Sequence, residues 1–282
     1  GKDLIKIMYR QIDELLKEDK FLHNFSSHSP HNAFIIKDSC EILEDFVLAM
    51  LEIIRAGNFT PHASEAGFGT KNEKLTEFRI PLDDNSHIKI RGLIDRLDLA
   101  KNNGQKLAAI FDYKLNDKTF NYDHCYYGLD MQLPIYLLAL ENHYRNNNSD
   151  HDLAGAFYLP VNFRPSTTGI DQIEKHKNKF SYKAKGILNA EFANDFDAEI
   201  EKGWSDYYSF FIKKDGSPCG NYKTSASLKL DDFQNLLIFV RQKIIDLAKE
   251  ISSGKIDIHP YRIRKKVPCG YCDYKSLCRF DY

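Results

Sequence analysis

Two short stretches of this 282-residue chain hold residue types that could do chemistry together. They are Arg91-Gly92-Leu93-Ile94-Asp95-Arg96-Leu97-Asp98 and Ile110-Phe111-Asp112-Tyr113-Lys114. Both read as apolar strands that set carboxylates among hydrophobic residues. Side chains alternate along a strand, so Asp112 and Lys114 share a face. Alone, that pair reads equally as a surface ion pair worth little. A neighbouring hairpin strand that sets Asp95 opposite Asp112 gives two carboxylates and an ammonium around one point. Like charges so placed repel unless a cation joins them. Hard carboxylate oxygens favour Mg²⁺ or Mn²⁺. Such a cation would polarise a phosphate ester and lower the pKa of water, while Lys114 positions that water or stabilises developing charge. Glu65, in Ser64-Glu65-Ala66-Gly67-Phe68-Gly69, is a candidate further acidic ligand or a solvated loop glutamate.

The elements that must position these residues follow from periodicity and turn chemistry. Residues 74–82, 87–99 and 106–115 predict a three-stranded antiparallel meander, with turns at Asp83-Asp84-Asn85 and Asn102-Asn103-Gly104. A helix over 124–145 and a buried strand over 153–161, closing at Pro160, come next. Ahead of them, residues 2–18 carry Leu4, Ile7, Met8, Ile12, Leu15 and Leu16 at helical spacing. A second helix is expected to open at Asp38 with a capping box to Glu41. Its stripe is Ile42, Phe46, Met50 and Ile53, and Gly57 is placed to end it. Residues 165–228, with Trp204 and Lys213-Lys214-Asp215-Gly216, read as an insertion with some helix. Residues 231–253 predict an amphipathic helix, capped by Asp231 with Gln234 and stopped at Gly254. Its expected buried face is Leu236, Val240, Ile244, Leu247 and Ile251. The expected organisation is a helical segment 1–60, a core 61–164, an insertion 165–228, and a C-terminal helix with a cysteine cluster 229–282. The fold class is α/β.

Composition bounds the function. Hydrophobic residues make up 43% of the chain and charged ones 28%, enough for a packed core. Net charge is −1, so contact with a polyanion must be local, for instance at Arg262, Arg264, Lys265 and Lys266. No apolar run approaches the roughly 18–20 residues that span a bilayer, and the first residues lack a signal-peptide layout. The expected location is cytoplasmic. Of six cysteines, Cys40, Cys125 and Cys219 are isolated, whereas Cys269, Cys272 and Cys278 crowd together and read as metal binding before they read as disulfides.

In order along the chain, these motifs resemble the RecB-like branch of the PD-(D/E)XK nucleases. Asp112-Tyr113-Lys114 stands for its (D/E)-x-K signature and Asp95 for its other metal-binding aspartate. Gln132 and Tyr136, in Gln132-Leu133-Pro134-Ile135-Tyr136, match its Q-x-x-x-Y motif, whose spacing puts both on one helical face. Tyr126-Tyr127-Gly128-Leu129, Lys213-Lys214-Asp215-Gly216 and Cys269 to Cys278 are similar to the C-terminal nuclease domains of the AddB family, over about residues 60–282.

The resemblance implies a restriction-endonuclease-like core: a mixed sheet from a three-strand meander, then helix and strand, with helical additions. It implies Mg²⁺-dependent cleavage of DNA during double-strand-break processing, with the AddA helicase–nuclease of an AddAB-type complex as partner. Asp95, Asp112, Glu65 and Tyr113 would serve the metal, Lys114 the attacking water, and Gln132 and Tyr136 would support the site. Cys269, Cys272 and Cys278 would hold a 4Fe–4S cluster; a zinc site or three free thiols are the alternatives. That family's fourth cluster cysteine lies upstream of the core, so the cluster would be incomplete in this chain. The branch also opens on Gly-x-x-x-His, and counting from Gly1 gives Ile5. A DNA-binding module without nuclease activity and a stand-alone iron–sulfur exonuclease are the rival readings.

Overall fold

In a computed structural model of the protein, residues 1–70, 73–82, 86–161, 182–217, 221–222, 224–255, 257–263 and 267–278 are described. Three helices come first: α1 (Lys2–Glu18), α2 (Lys20–His28) and α3 (Pro30–Ala56). The helix expected to open at Asp38 starts eight residues earlier, because Ser29 accepts a hydrogen bond from the Asn32 N–H and Pro30 occupies its first turn. Asp38 is interior to it, and Gly57 is the C-cap as expected.

Strands β1 (Thr60–Phe68), β4 (Gly92–Asn102), β5 (Gln105–Lys114), β6 (Asp152–Pro160), β7 (Lys185–Asn189) and β10 (Ser227–Leu228) form one mixed sheet in the order β1-β4-β5-β6-β7-β10. The pairs β5–β6 and β7–β10 are parallel and the rest antiparallel. The expected meander exists with a different first member. β1 pairs with β4, whereas β2 (Phe78–Pro81) and β3 (His87–Ile90) form a separate ribbon. A further two-stranded ribbon joins β8 (Gly203–Trp204) to β9 (Phe211–Ile212). The segment read as an insertion therefore supplies β7 and β10 to the central sheet. The turn expected at residues 83–85 and the basic residues Arg264, Lys265 and Lys266 lie outside the described residues, as does Cys219. At the β4–β5 turn, Asn103 (φ 48°) and Gly104 (φ 85°) are both left-handed, the geometry of a two-residue hairpin turn.

Both faces of the sheet are covered, so β5 is apolar on both. Its Ala108 and Ile110 join a cluster with Leu133, Leu137 and Leu140 of α5 (Gln132–Asn146) and Val240 and Ile244 of α6 (Leu230–Ser252). Its Leu107, Ala109 and Phe111 face the other way, onto Phe46, Ala49, Met50 and Ile53 of α3. This is the continuous burial expected of a strand packed on two sides.

The single helix expected over 124–145 is two, α4 (Tyr122–Tyr126) and α5, broken where Gly128 turns with φ 80°. α6 has Lys229 at its N-cap; Asp231 lies in its first turn, where its charge suits the helix dipole. α6 buries Phe233, Leu237, Val240 and Ile244. Of the expected face, Leu247 and Ile251 are instead exposed.

β7 lies so close to β6 that a Cβ at Gly186 would overlap the Ala156 carbonyl. Gly186→Ala should therefore cost about 1–3 kcal/mol, since backbone atoms cannot swing aside as a side chain can. Urea denaturation would read this directly, and an unchanged midpoint would contradict the packing.

Candidate active site

The strand register builds the site. Arg96 pairs with Phe111, so Asp95 and Asp112 are next in line on β4 and β5. Glu65 falls between the pairs Ser64–Arg96 and Ala66–Ile94, which sets it opposite Asp95 on β1. The three carboxylate-bearing positions thus run in a row across three adjacent strands. Glu65 is part of a strand rather than the expected loop, but its φ of 49° is left-handed, costly for a non-glycine residue. Its side chain is exposed. Among the described residues, no three His, Cys, Asp or Glu side chains form a group able to hold a metal ion together.

Asp112 is the centre of the arrangement. Its carboxylate is almost wholly buried, and its Oδ1 accepts a hydrogen bond of 2.7 Å from Gln132 Nε2. The same amide donates to Tyr136 Oη at 3.0 Å, so the one-turn spacing of Gln132 and Tyr136 is used. Asp112 Oδ2 lies 2.5 Å from Lys114 Nζ yet out of line for a hydrogen bond, and takes none from any described group. Asp95 Oδ2 accepts from the Tyr113 N–H at 2.8 Å, which ties the two strands together at the site. Tyr113 contributes backbone only; its ring packs edge-on against Phe46, on the opposite side of the sheet.

The two hard carboxylates and the unbonded Asp112 oxygen suit a divalent cation, and Asp95 and Asp112 are the residues that would hold it. The cysteines do not fit their expected group. Cys269 is buried, Cys272 exposed and Cys278 half-buried, and they do not converge.

Burial pushes the Asp112 carboxyl above its ordinary pKa; the Lys114 ammonium pulls it down and the Asp95 charge adds to the rise. The folded chain then keeps a proton at pH values where the unfolded chain has released it. Stability attached to this group is lost as pH rises from the ordinary carboxylate value through the raised one. In chelator, Asp112→Asn should therefore gain on the wild type as pH rises from about 4 to 7, by paired urea titrations. A gap that stays constant would show that Asp112 titrates normally.

Sequence reasoning missed two groups around this centre. Lys118 Nζ donates to Tyr158 Oη at 2.9 Å and pairs with Asp130 at 3.3 Å, while Tyr158 donates to Asp130 at 2.9 Å. Tyr158 is opposite Asp112 in the β5–β6 register, so this cluster braces the segment leading into Gln132. Its sequence signal was two charged residues near the motifs, four after Lys114 and two before Gln132. The other group is Arg96 with Asp98, a forked ion pair almost wholly buried on the α3 side, with the guanidinium 4.8 Å from the centre of the Phe111 ring. Burial works against the Arg96 charge, but Asp98 outweighs it and raises its pKa. Burial also pushes the Asp98 carboxyl up, against the pull of Arg96. The i, i+2 spacing of this pair was its signal.

The comparisons with known proteins agree with this geometry. The chain is 34% identical over 278 residues to the B subunit of the ATP-dependent helicase/deoxyribonuclease of Clostridium tetani, covering 96% of this chain and 23% of that protein. It is 31% identical over 290 residues to the protein of the same name from Lysinibacillus sphaericus, covering 99% and 24%. The Bacillus licheniformis protein is 33% identical over 237 residues, 82% of this chain and 20% of its own. The chain thus spans about a quarter of the length of these curated relatives. Among the described residues, no helix is long and apolar enough to cross a membrane. The description "PD-(D/E)XK nuclease superfamily" matches residues 3–279, nearly the whole chain, and the protein belongs to that superfamily.

Proposed function

We propose that the chain is the nuclease domain of a helicase–nuclease and hydrolyses phosphodiester bonds of DNA with a divalent cation, Mg²⁺ or Mn²⁺. The observation that carries this is Asp112: buried, oriented through Oδ1 by Gln132, and with Oδ2 free of hydrogen bonds beside Lys114. A divalent cation at Asp95 and Asp112 would neutralise charge on the scissile phosphate and acidify water. Gln132 fixes the Asp112 carboxylate so that Oδ2 is the oxygen offered, and Tyr136 fixes Gln132. Lys114, on the same face as Asp112, orients the attacking water or meets the charge that develops on the phosphate oxygens. Glu65, opposite Asp95, reaches this point only if its exposed side chain turns inward. An iron–sulfur cluster has no part in this reading, because the thiols do not converge.

The names of the relatives support a role beside a second, helicase-bearing protein in processing DNA ends. The test is cleavage of end-labelled, linear single-stranded DNA by the full chain, with Mg²⁺, Mn²⁺ or chelator. Metal-dependent cleavage is the expected result. Binding without cleavage in either metal would favour the DNA-binding module instead.

A further inference from the structure

The paired tyrosines of Tyr126-Tyr127-Gly128-Leu129 have no task in the nuclease reading. Both are large and exposed, Tyr126 by 60% and Tyr127 by 58%. Their rings meet edge to face at 5.2 Å. Tyr126 lies flat on Phe239 of α6, 5.7 Å away and 4° from parallel. Lys243, one turn further along α6, holds its ammonium 5.6 Å from both rings.

The segment that shows these rings is anchored beneath. Cys125 is buried, Gly128 N–H bonds back to the Cys125 carbonyl at 2.9 Å, and Leu129 N–H to His124 at 2.8 Å. Gly128 itself packs on Leu247, Met131 and Lys243. The aromatic residues are therefore held outward by a fixed turn. That turn is continuous with the active site. Asp130 bonds to Tyr158 beside Asp112, and Gln132, five residues after Tyr127, bonds to Asp112 itself.

We propose that Tyr126 and Tyr127, with Lys243 beside them, form a base-stacking platform for single-stranded DNA on its way to Asp112. The proposal rests on the nuclease reading for the identity of the polymer. Exposed aromatic faces beside an ammonium match a single strand, whose bases offer π-faces and whose backbone offers negative charge. A duplex keeps those faces inside its own stack. One face of Tyr126 is covered by Phe239, which leaves Tyr127 as the principal stacking ring.

The experiment measures binding of the full chain, in chelator, to a labelled oligothymidine and to an abasic oligonucleotide of equal length. The wild type should prefer the strand with bases by about five- to a hundredfold, the range of stacking one base on one aromatic ring. Tyr127→Ala should lose most of that preference without changing the salt dependence, because no phosphate contact is removed, and Tyr127→Phe should keep it. Lys243→Gln should weaken both strands alike and flatten the log–log salt slope by about 0.7. Thermal melting checks that each variant is folded, and Tyr127, being exposed, can be truncated without a cavity. A wild type with no preference, or a folded Tyr127→Ala variant that keeps the full preference, overturns the proposal and leaves this surface to a protein partner. Failure of the nuclease reading would show separately, as a wild type that prefers bases yet cuts nothing in Mg²⁺ or Mn²⁺.

Discussion

Asp112→Asn should reduce the rate of DNA cleavage by about a thousandfold or more, the scale seen when one group aimed at transition-state charge is removed. The asparagine keeps an oxygen for Gln132 and nearly the same volume, so the strand and α5 stay in place. What it lacks is the negative oxygen beside Lys114 that takes no hydrogen bond. Lys114→Ala should lose about a hundred- to a thousandfold with little change in KM, because the ammonium acts on charge that appears only in the transition state. Single-turnover cleavage of labelled single-stranded DNA, alongside a melting curve for each variant, gives the comparison. A wild-type rate in either folded variant would remove Asp112 and Lys114 from the chemistry.

The largest effect on stability is expected at the buried pair behind the site. Asp98→Asn strands the Arg96 guanidinium, 7% exposed, between the Phe111 ring and Met50 without a counter-charge. Breaking a buried pair from one side costs about 3–5 kcal/mol, since the surviving charge keeps its desolvation penalty. Replacing both partners, as in Arg96→Met with Asp98→Leu, should cost far less, because the penalty goes along with the attraction. Urea unfolding of the single and double variants separates the two contributions. A double variant as unstable as the single one would mean that the pair is needed for its shape and not for its charge balance.

The active-site strands were legible because their signals are local. Asp95, Asp112 and Lys114 sit on apolar runs joined by Asn-Gly, and Gln132 with Tyr136 announces itself by helical spacing. Strand β1 was not legible. Thr60-Pro61-His62-Ala63-Ser64-Glu65 has neither alternation nor β-branched bulk, and it can be a strand only because it is the sheet's edge, exposed along most of its length. Placing Glu65 opposite Asp95 therefore needed the register. β7 escaped for another reason: Lys185–Asn189 is five residues long and owes its place to pairing with β6, a contact far off in sequence. For α3, the early start was visible in Ser29-Pro30 but lost to the equally plausible Asp38. α6 shows the limit of periodicity, since Leu236, Leu247 and Ile251 fit a helical stripe as well as Phe233 and Leu237 do. Only the position of α5 and the sheet decides which stripe is covered.

Because the Asn103-Gly104 turn joins β4 directly to β5, the strands bearing Asp95 and Asp112 can zip together on the microsecond scale of a hairpin. β5 meets its parallel neighbour β6 only after the chain has crossed over through α4 and α5, a much longer loop to close. Folding thus brings the two carboxylates face to face while both are still hydrated, when their repulsion is weakest. The electrostatic cost is deferred to the docking of α5, the step that dries Asp112 and delivers Gln132. Refolding at lower pH, where Asp112 carries its proton, removes that penalty from the late step and leaves the early one untouched.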